Sequence, residues 1–246
     1  MPTKQVSKNI VIIPTYNEIE NIESMVNKVM SLEPTIDLLV VDDNSPDGTA
    51  AIVEKLQLTY PNRLHILKRA GKNGLGTAYI AGFEWCLSKD YECICEMDCD
   101  FSHNPNDLAR LVKACEDGAD VCVGSRYVGG VVNVVNWPMS RVLLSYYASK
   151  YVRIITGLKV ADSTAGFVCY RRKVLENCGI DKIRFKGYAF QIEMKFRAVQ
   201  KGFKLVEVPI IFTDRTAGTS KMSSNIIREA LFGVIELRWK SLIGKI

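Results

Sequence analysis

Short runs rich in Val, Ile and Leu recur along the first half of the chain, at Asn9–Pro14, Asp37–Asp42, Arg63–Lys68, Tyr91–Met97 and Ala119–Gly124. Their length and nearly unbroken apolarity predict strands buried on both faces. Helical spacing fills the gaps. Within residues 18–30, Ile19, Ile22, Val26 and Val29 recur at i, i+3, i+7 and i+10, with Asn17 as N-cap. Residues 76–88 and 106–117 also read as helices, the second opening at Pro105-Asn106-Asp107. Such β-α alternation predicts a mostly parallel sheet covered by helices, with ligands at the carboxyl ends of its strands. Pro14, Asp42, Asp98 and Ser125-Arg126 all fall at predicted strand ends, so they are expected on one rim.

The pattern changes after Trp137. Residues 139–156 read as a helix, Ala165–Arg171 as a strand, and 188–201 as a helix with Phe190, Met194 and Ala198 on one side. A strand over Lys204–Phe212 leads to a polar loop, Asp214–Ser224, and then to a final helix over 225–243. No internal repeat, low-complexity tract or linker interrupts the chain. The expected organisation is one α/β domain over residues 1–224, followed by an amphipathic helix at 225–246.

At 246 residues with 48% hydrophobic residues, the chain can build a sizeable core. A net charge of +5 and a pI near 8.7 suit phosphate ligands or an anionic membrane surface. No nucleic-acid-binding motif accompanies that charge, so nucleic acid is not an expected partner. Cys86, Cys93, Cys95, Cys99, Cys115 and Cys122 lie mostly in apolar segments, no Cys-x-x-Cys pair exists, and His65 and His103 are the two histidines. Buried reduced thiols are therefore expected rather than a zinc site or disulfide frame, which points to the cytoplasm. The segment Met1–Lys8 lacks the apolar core of a signal peptide, and no apolar run reaches the roughly 18–20 residues needed to span a bilayer. The chain is expected to be soluble or to lie on a membrane.

Candidate chemistry centres on Met97-Asp98-Cys99-Asp100-Phe101-Ser102-His103, where an apolar strand gives way to a polar loop. Two carboxylates spaced i, i+2 repel unless a cation sits between them, and hard oxygen ligands suit Mg²⁺ or Mn²⁺. An isolated Asp-x-Asp is more often an ordinary acidic turn. Pro14-Thr15-Tyr16-Asn17-Glu18 closes the first strand; Tyr16 can pack on a base and Glu18 can accept its hydrogen bonds. Asp42 closes the second and can reach a ribose or base, whereas Asp47 and Thr49 read as part of an Asx-rich turn capping a helix. Lys72–Ala78 is glycine-rich but matches neither the Walker pattern nor the dinucleotide fingerprint, so its role reads as structural. The absence of Gly-x-Gly-x-x-Gly after Ile13 also argues against a dehydrogenase.

Together these segments resemble the inverting family-2 glycosyltransferases of GT-A fold, and within them the dolichyl-phosphate (polyprenyl-phosphate) mannosyltransferases that lack membrane helices. The resemblance rests on Pro14–Glu18, Asp42–Thr49, Gly74–Tyr79, Met97–His103, Gly124–Tyr127, Asn136–Pro138 with Arg141, Gly187–Glu193, and Asp214-Arg215 with Ser220-Lys221, in the family's order. It implies that GDP-mannose is held by Pro14, Tyr16, Glu18, Val40, Asp42, Met97, Asp98, Cys99 and Asp100, with Arg126, Arg215 and Lys221 over the diphosphate. Asp98 and Asp100 would organise the divalent ion. Arg126, Arg141 and Ser145 would bind the phosphate of a polyprenyl (dolichyl) monophosphate, making Asp98, Asp100 and Arg126 the catalytic set. Some relatives carry a glutamine ligand where Ser102 stands, which leaves the third metal ligand open. His103 reads as a loop-fixing hydrogen bonder.

Glu193 matches a base in sugar-acceptor relatives. A lipid monophosphate, with a second pKa near about 6, is already anionic and requires no base. The resemblance thus implies transfer of mannose with inversion, giving a β-linked lipid phosphate; a UDP-sugar-dependent glucosyl- or N-acetylhexosaminyltransferase is the alternative. A non-catalytic nucleotide-sugar binding module is disfavoured by the presence of Asp98, Asp100 and Arg126.

In the final helix Ile227, Leu231, Val234, Ile235, Trp239 and Leu242 share a broad apolar face, opposite Glu229, Glu236 and Lys240. Either this helix docks on the domain's own core or it lies in a membrane interface, a reading favoured by Trp239 and by Arg228, Arg238 and Lys245. The expected location is the cytoplasmic face of a membrane, held peripherally. Relatives without membrane helices also imply a small membrane-embedded partner.

Overall fold

The computed structural model describes residues 7–187, 189–214 and 224–244, with side chains omitted for 224–230. Strands β1 (Asn9–Thr15), β2 (Asp37–Asp42), β3 (Leu64–Lys68), β4 (Cys93–Glu96) and β5 (Val121–Ser125) alternate with helices α1 (Ile22–Met30), α2 (Thr49–Gln57), α3 (Leu75–Leu87) and α4 (Asp107–Glu116). The second half contributes β6 (Val134–Val135), α5 (Met139–Thr156), β7 (Val168–Arg171), α6 (Arg172–Asn177), α7 (Ala189–Gln200), β8 (Leu205–Pro209), β9 (Phe212–Thr213) and α8 (Ser224–Leu242).

Seven strands form one sheet in the order β3-β2-β1-β4-β7-β5-β8, while β6 and β9 make a small second sheet. All neighbours in the large sheet are parallel except β7, which runs antiparallel to both β4 and β5. The single, mostly parallel α/β domain therefore matches the sequence reading. Side-chain alternation divides the core into two layers. Val11 and Ile13 face Ile22, Met25, Val26, Leu108 and Leu111 from α1 and α4. Ile10 and Ile12 face Tyr79, Phe83, Phe190 and Met194 from α3 and α7. All eight cysteines are buried free thiols, as their apolar settings predict.

Four details differ from the pattern. Asn17 does not cap α1: it has φ = 59°, the helix starts after Asn21, and Ile19 is exposed. Residues 165–167 precede the ladder instead of joining it, and β7 begins at Val168. The predicted strand over 204–212 splits after Pro209, and Phe212 pairs with Val134 in the other sheet. Helix α6 has no counterpart among the predicted elements.

Helix α8 meets the domain through Val234 and Leu237, which pack with Val152, Leu158, Ile192 and Phe196. Leu231, Phe232, Ile235, Trp239 and Leu242 remain exposed. One edge of the predicted apolar face docks and the other stays outside. Ile227, Arg228, Glu229 and Lys245 lie outside the described side chains. No helix among the described residues is long and apolar enough to cross a membrane.

Candidate active site

The carboxyl ends of β1, β2, β4 and β5 lie on one edge of the sheet, because all four point the same way. Thr15 pairs with Asp42 across β1 and β2, and the Met97 amide donates to Ile12 O at 3.1 Å. This register brings the loops at 14–18, 42–49 and 97–103 side by side.

The first two loops lock together through polar bonds. Asp42, almost fully buried, accepts from Thr15 Oγ1 at 2.8 Å, Ser45 N at 2.9 Å and Ser45 Oγ at 2.6 Å. The Asn17 amide donates to Ser45 Oγ, the Glu18 amide to Thr49 Oγ1, and the Ile19 amide to Asp47 Oδ2. Pro14, Tyr16 and Glu18 are half-buried on this edge, and Lys72 Nζ sits 4.7 Å from the Tyr16 ring centroid. Burial pushes the Asp43 carboxyl up, opposed by Arg69 at 3.0 Å. Val40 and Met97 lie fully inside the core and present no side-chain surface in this structure.

The glycine-rich turn has the structural role its sequence suggests. The Gly76 amide donates to Lys186 O at 2.9 Å, and a Cβ on Gly74 (φ = 103°) would meet that same oxygen at 2.8 Å. Only glycine allows this approach and this backbone angle.

Past β4, Asp98 is half-buried, whereas Cys99 and Asp100 are buried. The Ser102 amide donates to Asp100 Oδ1 at 3.1 Å, and Ser102 O accepts from Thr213 N at 3.1 Å, tying this loop to β9. His103 stacks on Phe167 and meets Phe212 edge-on, with centroids 5.0 and 5.2 Å apart. Burial drives its pKa down to about 4, so the imidazole is neutral.

A cavity of about 220 Å³ is lined by Asp98, Tyr79, Ser102, His103 and Gln191, by Arg126, Trp137, Arg141 and Ser145, and by Leu144, Tyr151, Val152 and Leu231 of α5 and α8. It thus unites the predicted donor carboxylate with all three predicted acceptor residues. The nucleotide edge lies outside it.

Arg126 is held on a partner that sequence reasoning missed. Its Nε and Nη2 donate to Asp162 at 2.6 and 2.7 Å, its backbone amide to the same carboxylate at 3.0 Å, and Nη2 also to Thr164 Oγ1. Asp162 is fully buried. Burial would raise its pKa, but the Arg126 charge and hydrogen bonds override it and leave it below the ordinary value. The Arg126 guanidinium lies 5.5 Å from the Trp137 ring, and Arg141 covers that ring at 4.1 Å while pairing with Asp214 at 2.8 Å. Arg215 and Lys221 lie outside the described residues, as does Tyr188.

Beneath the cavity, Gln191 Nε2 donates to Glu96 Oε2 at 2.8 Å, and Lys195 Nζ donates to Ala165 O at 2.7 Å and to Gln191 Oε1 at 3.3 Å. Burial is the main cause of both shifts, raising Glu96 to about 8 and lowering Lys195 to about 8. Glu96 interrupts an apolar strand run, the one sequence signal that a buried partner was needed. Glu193 points elsewhere. It accepts from the amides of Arg184 and Phe185 and from Arg197 Nε at 2.8 Å, anchoring the 183–186 segment.

Among the described residues, no group of three His, Cys, Asp or Glu side chains is placed to hold a metal. Asp98 and Asp100 nevertheless put two carboxylates on one turn, the hard oxygen chemistry that Mg²⁺ or Mn²⁺ takes.

A mostly parallel sheet with an acidic pair at the end of β4 and arginines across the cavity defines a glycosyltransferase. The chain belongs to glycosyl transferase family 2, whose model matches residues 10–179. It is 50% identical to the polyprenol monophosphomannose synthase of Mycolicibacterium smegmatis over 230 residues, 93% of this chain and 86% of the relative. Identity is 44% over 241 residues to the undecaprenyl-phosphate mannosyltransferase of Micrococcus luteus, covering 96% and 98%. In fold it is similar to glucosyl-3-phosphoglycerate synthase from Mycobacterium tuberculosis, with TM-score 0.61, 16% identity, and 96% and 79% of the chains covered. A mannosyltransferase from Pyrobaculum calidifontis, solved with GDP-Man and Mn²⁺, gives TM-score 0.57 at 16% identity over 96% and 74%.

Proposed function

We propose that this enzyme transfers mannose from GDP-mannose to a polyprenyl monophosphate with inversion, giving a β-linked mannosyl phosphate. The observation that carries the reading is the single cavity that joins a carboxylate, arginines and apolar side chains. Those three chemistries suit a sugar, a phosphate and a hydrocarbon chain. The names of the two curated relatives agree with it.

In this mechanism Pro14, Tyr16, Glu18 and Asp42 hold the guanosine, Asp98 and Asp100 would hold the metal, and Arg141 and Ser145 receive the lipid phosphate beside Arg126. Bound Mg²⁺ or Mn²⁺ would supply positive charge to the leaving diphosphate. An acceptor oxygen bonds to the anomeric carbon as the bond to the GDP oxygen breaks. That oxygen is already ionised, so no side chain need take a proton, in accord with the structural employment of Glu193. Arg126 holds its charge in place without reorganising, since Asp162 and Trp137 fix it. Arg215 and Lys221 are assigned to the donor diphosphate on the family resemblance alone.

The exposed apolar side of α8, with Met139, Leu143 and Tyr147 of α5, supports peripheral attachment to a membrane from the cytoplasmic side. Incubation with labelled GDP-mannose, UDP-glucose and UDP-N-acetylglucosamine plus a polyprenyl phosphate tests the donor. Label entering lipid only from a UDP-sugar would sink the mannose assignment.

A further inference from the structure

The cavity wall carries polar groups that no bond within the described protein explains. The Tyr79 hydroxyl, Ser102 Oγ and His103 Nδ1 are all buried and lack a hydrogen-bond partner among the described residues. Tyr79 has no exposed surface, Ser102 and His103 expose 3% and 4%, and all three line the one cavity. Each is firmly placed. Tyr79 lies flat against Phe190, with centroids 5.9 Å apart, His103 is wedged between Phe167 and Phe212, and Ser102 is pinned at both backbone groups. Each such group costs free energy in the empty protein, which a bound partner would recover.

Their chemistry selects the ligand. Hydroxyls and an imidazole can donate as well as accept, and these three line the same cavity as Asp98 and Gln191. A phosphate accepts only, and at this part of the cavity it would share the space with the Asp98 carboxylate. A hydrocarbon would leave every one of these groups unpaired. A polyol, whose hydroxyls each donate and accept, satisfies all of them. We infer that Tyr79, Ser102 and His103 form the subsite that binds the hydroxyls of the transferred hexose. The inference rests on the proposed reaction and adds to it the residues that read the sugar, separately from those that hold the nucleotide.

The test compares GDP-mannose with GDP, so that nucleotide and metal contributions cancel. Calorimetric binding of both, in Mn²⁺, is measured for the full chain and for Tyr79→Phe and Ser102→Ala, together with each melting temperature. Losing one neutral hydrogen bond should weaken GDP-mannose about three- to tenfold and leave GDP unchanged. The melting temperature of Tyr79→Phe should hold or rise, because its hydroxyl has no partner in the free protein. Opposite signs for stability and sugar binding are the signature of a binding role. Unchanged GDP-mannose affinity in Tyr79→Phe, or equal losses for GDP and GDP-mannose, would overturn the assignment. Equal losses in Ser102→Ala alone would remove that hydroxyl from the subsite and give it to the metal or diphosphate. If the wild type labels lipid only from a UDP-sugar, the mannose reading fails, while the subsite is judged by the same comparison of that UDP-sugar with UDP.

Discussion

Replacing Asp162 by Asn should unfold this protein more readily than most single changes. The substitution keeps the shape of the side chain but deletes the charge facing Arg126 and turns an NH₂ toward a guanidinium N–H. The two side chains expose only 10% and 0% of their surface, so little solvent screens the arginine left behind. Breaking a buried pair of this kind costs about 3–5 kcal/mol. For a chain of this length each kcal/mol shifts the melting temperature by about 2–4 °C, so a fall of roughly 6–20 °C is expected. Urea melts of wild type, Asp162→Leu, Arg126→Met and an Arg126→Met/Asp162→Leu double variant supply the cycle, with Asp162→Asn measured beside them. The double variant should recover much of the loss, because two apolar side chains leave no orphaned charge. Asp162 has a depressed pKa in the folded state, so its stabilisation is present above the ordinary carboxylate value of 3.8 and is lost as pH falls below it. A loss under about 1 kcal/mol at neutral pH would refute the claim that this pair is desolvated and mutually dependent.

Asp100→Asn should abolish metal-dependent donor binding while leaving far-UV dichroism intact; near-normal turnover at saturating metal would count against the metal assignment. Glu193→Gln should lower the melting temperature by loosening the 183–186 segment, and pH profiles of kcat should keep the wild-type shape, since a lost acidic limb would mark Glu193 as a base. Glu96→Gln should gain stability relative to wild type as pH rises from 4.5 toward about 8, because the folded state holds that carboxyl's proton longer than the unfolded chain does; denaturant melts across that window check the sign. Gly124→Ala should destabilise by about 1–3 kcal/mol, the usual range for overpacking, because its Cβ would meet Phe167 Cδ1 at 2.8 Å. Sedimentation with anionic liposomes should carry the full chain down and lose that binding when residues 225–246 are removed; full-length protein in the supernatant would assign the exposed face of α8 to a protein partner.

The elements that sequence reading located best are those whose boundaries are chemical. Strand β2 runs from Asp37 to Asp42 as predicted, since a fully apolar stretch ends there on charged residues at both sides. The direction of β7 was not legible, because a buried strand shows the same apolar run whichever way it points. The strand over 204–212 was read as one because Val208 to Ile211 stays largely apolar, yet Pro209 lacks the donor that a continuing ladder requires. At the site, Asp98, Arg126, Arg141 and Ser145 were legible and do share a cavity. Asp162 was not: it lies 36 residues from Arg126 in a segment without periodicity, where only folding reveals the pairing. Tyr79 was hidden for another reason. At helical spacing among Ala78, Gly82 and Phe83 it looks like core, and its ring is core, but its hydroxyl is not.

The placement of β7 bears on how this chain is made. Residues 168–171 enter the sheet between two strands that precede them on the chain, so a nascent polypeptide must hold a gap open between β4 and β5. Until that strand emerges from the ribosome, both flanking edges present unpaired N–H and C=O groups, a template for pairing with other chains. The acidic turn after β4 and the arginine after β5 acquire a fixed separation only when the gap closes. Truncation before residue 168 should therefore yield an aggregating fragment rather than a weakened enzyme.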